Sequence, residues 1–147
     1  MKLSLLALSL FFAAFVASCF NALEKNPPSS EKAEIFLSGT IDLAPELREK
    51  ADPLAVIFVM ARTPEGRLGA VKKLLPPFQY PLAFELTAQD LMIPGMDFHG
   101  EILPGARLDA DANANPPQPG DILGVSDPKN VSLGTRNVKI LLNQVVK

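Results

Sequence analysis

From Ile35 to the C-terminus, apolar side chains recur at every second residue in short runs, and proline or glycine returns before any run can wind into a long helix. Residues 35–43 show this most clearly: Ile35, Leu37, Gly39, Ile41 and Leu43 alternate with Phe36, Ser38, Thr40 and Asp42. That period puts one face of a strand on a core and the other in water. Residues 54–61 are instead continuously apolar and rich in β-branched side chains, as in a central strand covered on both faces. Further strands are expected at 68–75, 82–86, 98–108, 122–125 and 137–146. Lys72 and Lys73 would mark a solvated edge, and Pro104-Gly105 a kink or bulge. Turn signals such as Thr63-Pro64-Glu65-Gly66 and Pro94-Gly95 separate the runs, and residues 109–120 form a small, polar, proline-rich loop. With 14 prolines and no tryptophan, the chain is expected to be all-β. An antiparallel β-sandwich of about seven strands fits better than an α/β winding, which needs crossover helices.

The N-terminal segment has a different logic. Lys2 is followed by the uncharged apolar run 3–16, too short to span a bilayer comfortably and suited to a signal peptide over residues 1–18. The run ends in Val16-Ala17-Ser18-Cys19, which resembles the lipobox of bacterial lipoproteins: a branched apolar residue, two small residues, then cysteine. Cleavage would fall between Ser18 and Cys19, and the Cys19 thiol would take a diacylglycerol, with further acylation of the new N-terminus; several chains anchor a protein that one chain holds only reversibly. The alternative is an ordinary secretory signal that leaves a free thiol. Cys19 is the sole cysteine, so an internal disulfide is excluded. Phe20, where lipoproteins kept at the inner membrane often have Asp, favours the outer membrane. Residues 19–34, polar and interrupted by Pro27-Pro28-Ser29-Ser30, read as a tether for a domain over 35–147 facing the periplasm.

Three blocks of the domain resemble a known family. Residues 38–47 with 56–62 form the first, residues 81–96 the second, and Pro117-Gln118-Pro119-Gly120-Asp121 with the closing apolar strand the third. In this order and spacing they look like the C-terminal immunoglobulin-like domain of the CycH-type cytochrome c biogenesis protein. The resemblance covers about residues 35–147 and implies an immunoglobulin-like sandwich. In that family, membrane-spanning helices and a tetratricopeptide-repeat region precede the domain, and the protein helps deliver apocytochrome c for haem attachment. This chain shows no repeat region, and a lipid would stand in place of the helices. The resemblance therefore implies an accessory domain with a protein or membrane-complex partner.

The residues themselves point away from catalysis. The formal charge of −2 gives no basic footprint for nucleic acid. The sole histidine, His99, limits any triad, and Gly66 and Gly69 read as turn residues without the Lys-Ser/Thr pair of a phosphate loop. Asp109 and Asp111, with Asn113, lie in the expected loop without the closing Glu of a calcium loop, and read as solvated. The sharpest chemical candidate is Met92, Met96 and His99. If Leu91–Met96 made a helical turn, both thioethers would share a face, and thioether and imidazole suit Cu(I). Met60 could join only if its strand ended nearby. The competing reading has both methionines as flexible core filler and His99 as a solvated strand residue. The expectation is thus an envelope lipoprotein, membrane-bound through its lipid, that presents a non-catalytic, cofactor-free binding or assembly module to an envelope protein or complex. A copper-binding or copper-transfer lipoprotein is the alternative.

Overall fold

The computed structural model describes residues 34–147. The expected signal peptide, Ser18, Cys19 and all of the tether before Glu34 lie outside the described residues. The elements run β1 (Ile35–Leu43), a 3-10 turn at Pro45–Leu47, β2 (Val56–Arg62), β3 (Leu68–Leu74), β4 (Leu82–Thr87), a second 3-10 turn at Ala88–Asp90, β5 (Glu101–Asp109), β6 (Ile122–Ser126), β7 (Val131–Ser132) and β8 (Val138–Val145). Every strand expected from the alternation forms, and the two-residue β7 is additional. No helix among the described residues is long and apolar enough to cross a membrane.

The strands pair in one continuous path, β3-β2-β5-β6-β8-β1-β4, with β7 beside the start of β5. The domain is an immunoglobulin-like β-sandwich whose two layers are joined through the ladder, so that it approaches a barrel. The path's two ends meet: Lys72 of β3 donates through Nζ to the Glu85 carbonyl of β4 (2.9 Å) and pairs with Asp90 at 3.5 Å. Ala70 also bridges to Leu91, just past the second 3-10 turn. Lys72 therefore seals an edge rather than marking a solvated one; its long stem spans the gap and satisfies a carbonyl that no strand reaches. One pair departs from the antiparallel expectation: β1 runs parallel to β8, from Gly39 opposite Val138 to Leu43 opposite Leu142. The pair joins the chain's first and last strands, and Gly39 lets them close, because a Cβ there would overlap the Val138 backbone.

Inward positions alternate as the period requires. Leu37 and Ile41 of β1, Ile57, Val59 and Ala61 of β2, Phe84 and Leu86 of β4, and Ile140 and Leu142 of β8 belong to one buried cluster. The continuous apolar run of β2 is covered on both faces: Val56 and Phe58, out of phase with Ile57 and Val59, are buried as well. Pro104-Gly105 does not make a bulge, for β5 pairs with β2 in unbroken register from Val56 opposite Asp109 to Arg62 opposite Leu103. Proline is tolerated because β5 has no partner at Pro104 on its other flank: β6 pairs only with Gly105–Leu108 and β7 only with Glu101 and Ile102. Gly69 is likewise not a turn residue. It lies in β3 beneath the Phe98 ring, which occupies the space of a Cβ.

The domain has two distinct ends. Ile35 pairs with Thr87, so the chain enters beside the end of β4. The same end holds the β2–β3 turn, residues 91–100, and the segment Leu133–Arg136, which hydrogen-bonds Gly100, Phe36 and Ile35. The opposite end holds the end of β5, the loop 110–121 and the start of β2.

Candidate functional site

The Met92, Met96 and His99 set lies at the entry end, and its local geometry follows from Pro94-Gly95. Leu91 is held by its bridge to Ala70, and Met92 N–H donates to the Gly69 carbonyl (2.9 Å). The chain then turns at Ile93-Pro94-Gly95-Met96, where Met96 N–H donates to the Ile93 carbonyl (3.0 Å). Gly95 takes φ +73°, the positive value that a turn with proline at its second position needs at its third. Residues 91–96 are therefore a bridge and a turn, not a helical turn, and the helical alignment of the two thioethers is absent. Met92 is 50% exposed and is no core filler. His99 lies in the loop before β5, not in the strand, with Nδ1 2.7 Å from Asp97 Oδ1 on a solvent-exposed pair. Its ring borders a shallow groove of about 340 Å³, which Glu65, Arg67, Asp97 and Glu101 also line. Met60 belongs to β2, its sulfur 3.4 Å from Arg62 Nη2. Among the described residues no three His, Cys, Asp or Glu side chains converge as a metal-holding group.

The most unusual chemistry is at the opposite end, in residues taken from sequence as a solvated loop. Asp109 is the last residue of β5 and has no solvent exposure. Arg107, two residues earlier and on the same strand face, is also buried. Its Nη2 is 2.8 Å from Asp109 Oδ2 and 3.0 Å from the Asn113 carbonyl, and its Nε is 3.6 Å from Asp121 Oδ2. The guanidinium also lies over Phe58, 5.6 Å from the ring centroid, and Lys73 Nζ approaches the same ring at 5.7 Å. One arginine thus sits between two buried carboxylates and pins the loop 110–121 to the outer face of β2 and β5. Asp121 closes that loop by accepting from Gln118 N–H (2.8 Å), and Asp111 accepts from Asn113 N–H (2.9 Å). Burial pushes the Asp109 carboxyl above its ordinary value, the Asp111 and Asp121 carboxylates push it further, and Arg107 opposes them. Neither Asp109 oxygen has a well-aligned hydrogen-bond donor. The sequence signal was present in Arg107-Leu108-Asp109: on a strand, the charged pair shares the face that Leu108 does not.

Next to this cluster the outer face of the sheet turns apolar. Met60, Gly105, Val125 and Leu141 lie in register across β2, β5, β6 and β8. Val125 is 54% and Leu141 44% exposed. Directly opposed residues on antiparallel strands have Cβ atoms only about 4.5–5.5 Å apart, so the two make one continuous apolar surface. Gly105 lowers the floor beside them, and Leu123 extends the surface towards Arg107 along β6. Such a face can bury apolar side chains of another molecule.

Comparison with curated proteins and with solved structures returns no match. The family model of the cytochrome c-type biogenesis protein H Ig-like domain matches residues 37–143, most of the chain, and the protein belongs to that family.

Proposed function

We propose that this protein is an envelope lipoprotein, anchored through Cys19 and facing the periplasm, whose Ig-like domain is a non-catalytic binding module accessory to cytochrome c maturation. Family membership supports the pathway. The observation that supports binding is the exposed Val125–Leu141 surface on a sheet face whose neighbouring strip, at Phe58 and Arg107, is already covered by the domain's own loop. Leaving two large apolar side chains about half in water forgoes roughly half of the about 1.5–3 kcal/mol that full burial of each would give, and a docked partner recovers part of it. The lipobox supports the anchor, and the outer membrane is the favoured site of attachment.

A photoreactive residue placed at Val125 or Leu141 in cells tests the binding role. Adducts with a component of the haem-attachment machinery are expected from these positions and not from Glu85, exposed on β4. Loss of the gene should lower covalently haem-bound cytochrome c. Unchanged holocytochrome in the deletion strain, or the same adducts from Glu85 as from Val125, would sink the proposal.

A further inference from the structure

We infer that the Met92–Ile93 tip is a membrane-contacting element, dipping into the lipid surface to which Cys19 is anchored; this rests on the lipoprotein reading above. Ile93 is 62% exposed and Met92 50%, on consecutive residues at the start of a Pro-Gly turn. A tip of this kind is held rigidly. Met92 N–H is bound to Gly69, and beyond the turn Phe98 packs over Gly69 and edge-on against Phe36, ring centroids 6.0 Å apart. Unlike a mobile loop, it gains no entropy by withdrawing from an apolar phase.

Position supplies the occupant. Phe36 follows directly on Ile35, where the strand ladder starts, so the tip and the chain's point of entry belong to the same end of the domain. The stretch between Cys19 and Ile35 spans at most about 58 Å when fully extended. A lipid on Cys19 would therefore hold the chain's point of entry within that reach of the bilayer, and every other part of the domain is attached through it. The Val125–Leu141 face and the loop 110–121 are not at that end, which leaves them available to a protein. Asp97 and His99, both well exposed just beyond the turn, limit penetration to the tip itself. Met and Ile side chains suit the boundary of headgroups and acyl chains, which holds apolar groups without any hydrogen-bonding requirement.

The chain contains no tryptophan, so Ile93→Trp introduces a single reporter. The full lipidated protein is reconstituted into phosphatidylcholine vesicles with brominated acyl chains, and acylation of Cys19 is read by mass spectrometry on the same sample. Blue-shifted emission with loss of intensity on brominated lipid is expected for Ile93→Trp and for Met92→Trp. Leu54→Trp, exposed at the opposite end, should keep solvent-like emission without quenching. Solvent-like emission at positions 92 and 93 with acylated Cys19 overturns the inference and leaves the anchor intact. An unacylated Cys19 overturns the anchor, and the inference with it.

Discussion

Replacing Arg107 with methionine removes the cation between Asp109 and Asp121 while keeping an unbranched stem against Phe58. Two buried carboxylates are then left without their counter-charge, and the Asn113 carbonyl loses its donor. Removing one partner of a buried ion pair costs about 3–5 kcal/mol, because the remaining charge stays desolvated. Since single domains have about 5–15 kcal/mol in all, Arg107→Met should lose about a fifth of the stability or more. With urea slopes of about 1–3 kcal/mol per molar, the midpoint should fall by about 1 M or more. Asp109→Asn should act in the opposite sense. One arginine between two aspartates leaves a formal negative excess, and burial raises the Asp109 carboxyl above its ordinary 3.8. A carboxyl whose folded value is raised holds its proton more tightly folded than unfolded. Its contribution is complete below 3.8 and is lost as pH rises through the folded value. Asparagine removes that loss, so Asp109→Asn should equal or exceed the parent at neutral pH. The advantage should vanish as pH falls towards 3.8. Urea unfolding followed by far-ultraviolet circular dichroism, from neutral pH downward, reads both effects. An Asp109→Asn protein that loses as much as Arg107→Met at neutral pH would refute the reasoning, as would an Arg107→Met protein within about 1 kcal/mol of the parent.

Other substitutions probe the remaining structure. Gly39→Val drives a side chain into the Val138 backbone of the parallel pair and should cost about 3 kcal/mol or more, seen as a thermal midpoint lower by roughly 10 °C or more. Gly69→Ala displaces the Phe98 ring and should cost about 1–3 kcal/mol in chemical unfolding, whereas Gly66→Ala, with open space around it, meets no such contact and is penalised only through its φ of +90°. Thr87 caps the second 3-10 turn reciprocally with Asp90, so Thr87→Ala should cost about 0.5–2 kcal/mol by the same measurement. Because residues 91–96 form a turn, Met96→Leu combined with His99→Ala should leave Cu(I) affinity unchanged in competition with a chromogenic chelator.

The strands were legible from sequence because each carries its own period, and neither Ile35–Leu43 nor Val56–Arg62 needs a neighbour to reveal which side chains face inward. What one strand does to the next is not written in its own period. Nothing within residues 35–43 announces that β8, a hundred residues later, lies parallel beside it; Gly39 hinted at close approach but not at what approaches. Pro104 looked like a defect when the strand was read alone, and is ordinary once β6 and β7 are seen to leave it unpaired. The candidate sites diverged for the same reason. Met92, Met96 and His99 stood out by residue type, yet their geometry depends on Pro94-Gly95 and on the bridge from Leu91 to Ala70. Asp109 reads as solvated when the strand is ended at Leu108 and a small, polar, proline-rich stretch follows; β5 runs one residue further, which sets Asp109 on the face of Arg107. The loop is held at Arg107 through the Asn113 carbonyl and Asp121, and the charges are buried where it is held. The same contrast separates two strips of the sheet's outer face. Phe58 is covered by Lys73 and by Arg107, to which the loop 110–121 is pinned, whereas Val125 and Leu141, a strip further along, are about half exposed. A sheet face that is closed at Phe58 and Arg107 but half open at Val125 and Leu141 has one apolar strip that its own chain does not cover among the described residues, and that strip is what the proposed binding role uses.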